Sequence, residues 1–109
     1  MKLSELIKEL NLTVLTAENY TDRKIGGCYI GDLLSWVMGR AKQNDVWITI
    51  MNNINIVAVA SLADCACVLL CEGVSADGDV IGKADEEGIV ILKSEKTAYE
   101  LAAAISGVI

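Results

Sequence analysis

Thr21 to Gly27 reads Thr-Asp-Arg-Lys-Ile-Gly-Gly and puts an acid, a guanidinium and two adjacent glycines side by side. Arg23 is one of two arginines in the chain, the other being Arg40. A guanidinium fork holds a carboxylate or a phosphate through two parallel hydrogen bonds. Paired glycines permit positive φ and close approach of a ligand or another backbone. Asp22 and Arg23 therefore either brace a turn or leave the fork free for an anion, with Gly26 and Gly27 giving it access to the backbone.

The other chemistry-bearing residues are sparse. The chain has no His, Phe or Pro. Without His, the side chain that most often moves protons near neutral pH is missing. A metal would have to be held by Cys and carboxylate. Cys67 and Cys71 stand at the two ends of an apolar segment, about 13 Å apart at strand rise, too far to share one ion. The four cysteines read as small buried hydrophobes, and neither a metal nor a cofactor is expected. The closest approach to a phosphate-binding loop is Gly78-Asp79-Val80-Ile81-Gly82-Lys83-Ala84. It has one residue too few between its glycines and no hydroxyl for magnesium.

Those residues need a scaffold of 109 residues, 53% hydrophobic, with formal net charge -6. The length suits one domain, residues 1–109, with a real core. The acidic balance and scattered bases argue against a nucleic-acid surface. No apolar run approaches a membrane span, and Met1 to Leu10 lacks the apolar centre of a signal peptide. A cytoplasmic protein with reduced cysteines is the expectation.

Leu3, Leu6, Ile7 and Leu10 share a helical face, with Ser4 as cap. Leu12 to Thr16 reads as a strand and Ala17 to Gly27 as a loop. Leu33, Leu34, Val37, Met38 and Ala41 form the apolar face of a helix starting near Ile30 or Gly31, and Val46 to Met51 reads as a strand. Asn52 to Ala63 is open to both readings, since Ile56, Val57 and Val59 favour a strand. Ile54, Val57, Ala58 and Leu62 also share a helical face, behind a cap at Asn52 or Asn53. Helix is preferred, because it preserves the alternation of strand and helix. Cys67 to Cys71 is an apolar strand, Asp79 to Glu87 a helix closed by Gly88, and Ile89 to Leu92 a strand. Ser94 caps a last helix with Ala98, Leu101, Ala102 and Ile105 inward. This order predicts an α/β fold, a three-layer α/β/α arrangement around a mainly parallel sheet of about four to five strands.

The loop Asp22-Arg23-Lys24-Ile25-Gly26-Gly27 resembles the motif for which the DRTGG domain family is named, with Lys-Ile where the name has a single Thr. Asp32-Leu33-Leu34-Ser35, Asp45 to Ile50, Asn55 to Leu62 and Lys83 to Ile89 resemble stand-alone members, so the likeness covers nearly the whole chain. The family is similar to the amino-terminal, non-catalytic domain of HPr kinase/phosphorylase, and accompanies CBS domains in regulated pyrophosphatases. The resemblance implies a regulatory or ligand-sensing module, often a homodimer, and no enzyme.

Ligands of parallel α/β sheets collect beyond the carboxyl ends of strands. Thr49, Asn52 and Asn53 lie in one such loop and either bind a ligand or cap a helix. The His that close relatives often carry near this position is absent. Trp36 lies off the main apolar face of its helix and is a candidate dimer contact, as is Tyr29 beside the glycine pair. Asp85-Glu86-Glu87 reads as a solvated helix end. The reading is a dimeric, non-catalytic module binding a nucleotide, a phosphorylated metabolite or a partner protein. The competing reading is a purely structural interaction subunit without a small ligand.

Overall fold

The computed structural model describes residues 1–109. Its elements run α1 (Leu3–Glu9), β1 (Thr13–Val14), β2 (Gly27–Ile30), α2 (Leu34–Arg40), β3 (Asp45–Thr49), α3 (Asn55–Ala63), β4 (Cys67–Leu70), α4 (Gly78–Glu87), β5 (Ile91–Lys93) and α5 (Ala98–Ser106). The five strands form one sheet in the order β1-β5-β4-β3-β2. β2 through β5 are parallel, and β1 closes the β5 edge antiparallel, pairing Thr13 with Lys93.

Every residue of β3 and β4 is buried, as the continuous apolar runs of a doubly covered parallel sheet require. Leu3 and Leu6 of α1 and Leu101 and Ile105 of α5 pack on one face with Val46, Ile48 and Leu69. Val37, Ile56, Val57, Val80 and Ala84, from α2, α3 and α4, pack on the other with Trp47, Val68 and Ile91. The result is the expected three-layer α/β/α arrangement. Trp47 is fully buried, and its indole N–H donates to Gly31 O at 2.9 Å, so the ring brings no unpaired donor into the core.

The ambiguous segment is helical. α3 buries Ile56, Val57, Val59 and Ala60 on one side. Asn53 Oδ1 accepts from Asn55 N–H at 2.9 Å, filling the capping role. Gly88 closes α4 with φ 70°, and Asp77 caps its start.

Several expectations are corrected. Gly27 begins a strand, β2, inside the region read as loop and helix start; α2 begins only at Leu34. Ile30 extends that strand because its N-terminal neighbours pair in register with Asp45 to Trp47. Ser4 is no cap: it lies in the first turn of α1, where Lys2 N–H donates to the Glu5 carboxylate. Ser94 also precedes its helix by too much. Thr97 caps α5, with Glu100 returning the bond to Thr97 N–H. Gly26 and Gly27 do not take positive φ; among glycines only Gly73 and Gly88 do.

Candidate functional site

The sequence-selected residues fall into two groups at opposite ends of the sheet. Asp22, Arg23, Gly26 and Gly27 gather at the amino ends of β2, β3 and β4. Thr49 ends β3, and Asn52 and Asn53 follow its carboxyl end. The strand between them spans about 15 Å, so the two groups do not converge on one small ligand.

At the amino end, adjacent residues serve different partners. Asp22 accepts from Ser4 N–H at 2.8 Å and from Ser4 Oγ at 2.6 Å, binding the first turn of α1 to the loop. These bonds hold its carboxyl below the usual aspartate range. Arg23 turns the other way. Its Nη1 donates to Asn44 Oδ1 at 3.2 Å and Asp64 O at 3.1 Å, and lies 2.7 Å from Asp64 Oδ1. The hydrogen bond from Arg23 lowers the Asp64 carboxyl, helped by Gln43.

Asn44 and Asp64 both have left-handed backbones, φ 67° and 57°. These are the corners that start β3 and end α3, and Asn and Asp tolerate that conformation best among side chains with a Cβ. Arg23 joins the two corners.

The glycines are required by the chain itself. A Cβ on Gly27 would stand 2.9 Å from Asp45 Oδ1, and one on Gly26 3.3 Å from Gln43 O. Asp45 is buried, and its Oδ2 accepts from Lys42 N–H at 2.8 Å. The close approach permitted by the glycine pair is thus made by residues 43 to 45.

At the carboxyl end, Thr49 is buried and committed. Its hydroxyl donates to Asp32 Oδ1 at 2.7 Å and accepts from Met51 N–H at 3.0 Å, while Ile50 N–H donates to the same Asp32 oxygen. Asp32 was not singled out as a functional residue by sequence; its partners lie seventeen and eighteen residues away, and no local spacing signals them. Asn52 donates to Ser75 O at 2.7 Å and bridges the loops after β3 and β4. A cleft of about 670 Å³ opens there, lined by Asn52, Asn53, Ile54, Ser75, Asp77 and Val80 among others. No Lys or Arg lines it. Asp77 Oδ1 already accepts from the Asp79 and Val80 N–H groups, so the start of α4 is occupied by its own carboxylate.

A second cleft of about 770 Å³ lies beside β1 and β5, where Lys93 and Lys96 share the lining with Glu9 and Glu95. Cys65, Cys67 and Cys71 are buried and Cys28 half-buried. Burial pushes the thiols of Cys28 and Cys65 up to about 11 and raises Cys67 and Cys71 as well. They are poor nucleophiles at neutral pH. No group of three Cys, Asp or Glu side chains is arranged to hold a metal ion. The near-miss segment Gly78 to Ala84 forms the first turns of α4 and makes no phosphate-cradling loop.

Four of the nine large exposed apolar side chains fall between Ile30 and Met38. Ile30 at the end of β2, Leu33 just before α2, and Trp36 and Met38 within α2 are each about half exposed. Trp36 is 54% exposed and carries the Arg40 guanidinium 4.0 Å above its ring. Tyr29, by contrast, packs partly into the core, its ring against Gly31. No helix is long and apolar enough to cross a membrane.

The sequence model of the DRTGG domain matches residues 5–108. No curated protein matches the chain. Among solved structures, the fold is similar to the CBS and DRTGG domains of the regulatory region of Clostridium perfringens pyrophosphatase, in complex with the activator diadenosine tetraphosphate. The TM-score is 0.72 at 10% identity, covering 94% of this chain and 45% of that one. At this identity the likeness concerns the fold, and this chain spans less than half of that region.

Proposed function

The chain belongs to the DRTGG domain family, and from that membership we propose that it is a non-catalytic regulatory module that acts by associating with a second copy of itself. The observation carrying this reading is the exposed apolar run Ile30, Leu33, Trp36 and Met38. Exposed apolar side chains that cluster mark contact sites in soluble domains, and Trp and Arg, stacked here at positions 36 and 40, are among the residue types most often found carrying interface energy. Charge supports the same face. Copies with net charge -6 repel, and between Gly26 and Ala41 the one acid is Asp32, whose carboxylate is engaged by Thr49 and Ile50. Sedimentation of the full chain over a range of concentrations tests the reading. A dimer weakened by Trp36→Ala supports it, and a monomer at every concentration contradicts it.

A ligand-sensing role forms a second reading, favoured by the cleft at Asn52 and by the nucleotide activator of the structurally similar pyrophosphatase region. Without a cation in its lining, that cleft suits the base and ribose of a nucleotide better than its phosphates. Asn52 and Asn53 would supply the hydrogen bonds. Asp22, Arg23, Gly26, Gly27 and Thr49 enter this reading as residues that hold the loops in place. Kinship with the amino-terminal domain of HPr kinase/phosphorylase, a cytoplasmic setting and a protein partner other than a second copy belong to the same proposal.

A further inference from the structure

β2 is an edge of the sheet, with β3 on its inner side. Just past the strand, Gly31 N–H donates to Ile48 O at 3.2 Å. Direction alternates along a strand, and in a parallel pair the N–H and C=O of one residue point the same way. Tyr29 therefore bonds to β3 as Gly31 does, and the N–H and C=O of Cys28 and Ile30 point outward. No segment outside the sheet bonds to either residue. Alternation would turn Gly26 outward as well, but its N–H is committed to Asn44 O at 3.0 Å. The open ladder is thus Cys28 and Ile30, on a strand without charge or proline to keep another strand away.

α2 overhangs this edge. Its sheet-facing side carries buried Val37 with half-buried Leu34 and Ala41. Trp36 and Met38 lie about 100° to either side of Val37. In the right-handed crossover from β2 to β3, the Met38 side is turned toward α3. The other side, with Leu33, Trp36 and Arg40, looks out over the edge. On the opposite face of the sheet, Cys28 packs against the cluster under α1 and α5.

We propose that Cys28 and Ile30 of two copies pair with one another, antiparallel, across a two-fold axis at Tyr29. This rests on the self-association reading above and names its seam. An antiparallel strand pair is self-complementary under two-fold symmetry. Centred on Tyr29, Cys28 of each copy exchanges both backbone bonds with the partner's Ile30, so all four outward groups of each copy are used. Setting Cys28 against Cys28 would oppose Ile30 to Gly26, whose N–H is already taken. Setting Ile30 against Ile30 would oppose Cys28 to Asp32, beyond the strand. Ile30, 49% exposed, then covers the partner's half-buried Cys28, and Leu33 and Trp36 of both copies flank the seam on the other face. The nearest acid, Asp32, is held by Thr49 and Ile50, which eases the approach of two chains of net charge -6.

Two measurements on the full chain test the seam, at a concentration where it sediments as a dimer. The first is amide exchange in the native chain. Cys28 and Ile30 are expected to exchange at least about tenfold more slowly in the dimer than in dilute monomer. Tyr29 and Gly31, bonded to β3, are expected to be protected in both. The second is oxidation of Tyr29→Cys in a Cys28→Ser background by copper(II)–phenanthroline. Tyr29 and its symmetry mate form a non-hydrogen-bonded pair with Cα atoms about 4.5 Å apart, within the range a disulfide spans. Two thiols give two protons and two electrons to the added oxidant and form one S–S bond. A covalent dimer is expected, absent in Cys28→Ser alone. A double variant that sediments as a dimer without cross-linking overturns the register. A native dimer whose Cys28 and Ile30 amides exchange as fast as in the monomer overturns edge pairing, whatever the variant does, and leaves self-association standing. A monomer at every concentration overturns both.

Discussion

Arg23 Nη1 lies 2.7 Å from Asp64 Oδ1, although the two residues stand 41 positions apart in the chain. The same nitrogen donates to the Asp64 carbonyl and to Asn44. Through one guanidinium, the loop after β1 is fastened to the corner ending α3 and the corner beginning β3. Asp22, its neighbour, fastens that loop to α1. The Asp-Arg pair is thus two separate braces, and the ion pair it forms reaches across the fold.

Arg23→Ala removes the contacts to both corners and is expected to destabilise the fold by about 1–2 kcal/mol, a modest value because both side chains are partly exposed. That lowers Tm by roughly 5–10 °C for a domain of this size, measurable by calorimetry. Arg23→Lys is expected to recover only part of the loss, because an ammonium cannot reproduce the planar fork. The dimer constant stays unchanged, since Arg23 lies outside the proposed interface; a large change in it would place Arg23 in the interface instead.

The pH dependence follows from Asp64. Its carboxyl in the folded protein lies below the ordinary 3.8, chiefly through the hydrogen bond from Arg23. A carboxyl depressed by folding contributes stability that is complete above its unfolded value and is lost as pH falls through its folded value. The Tm difference between the native chain and Arg23→Ala should therefore stay level from neutral pH down to about 5 and narrow only below about 4. A gap that closed between pH 6 and 8 would point to a different titrating group.

Substitutions on the two sides of α3 should separate sharply. Ile56 is fully buried and Leu62 is 72% exposed. Ile56→Ala is expected to cost about 2–4 kcal/mol in denaturant unfolding. Leu62→Lys should stay within about 0.5 kcal/mol of the native chain. Equal costs would refute the helix orientation.

This segment also shows how far sequence reasoning reached. Its β-branched residues favoured a strand, and only the alternation of elements around it pointed to a helix. β2 stayed hidden because the second of two adjacent glycines is its first residue and its last residue, Ile30, fits a helical start equally well. The start of α5 was legible: Thr97 and Glu100 carry the capping-box spacing, but Ser94 drew the assignment first. The candidate site was the least legible part. Arg23 finds its partners through left-handed corners at Asn44 and Asp64, and only the residue types there, Asn and Asp, hint at such turns. That the loop and Asn52 lie at opposite ends of a strand is a fact of topology, invisible to spacing.

For the ligand reading, a thermal-shift screen with adenine nucleotides is the practical check, since a ligand of the native state raises Tm. Stabilisation is expected to vanish in Asn52→Ala and to persist in Arg23→Ala, measured relative to each variant's own Tm. Loss in Arg23→Ala alone would move the ligand to the amino end of the sheet. No shift with any nucleotide would favour a pure interaction subunit.

Self-association through the face carrying Trp36 is tested most directly by sedimentation equilibrium of the full chain beside Trp36→Ala. The native chain is expected to approach twice its 11.6 kDa mass as concentration rises, with the dimer weakened at least about tenfold in the variant. An 11.6 kDa species at every concentration, or a dimer indifferent to Trp36→Ala, would contradict it.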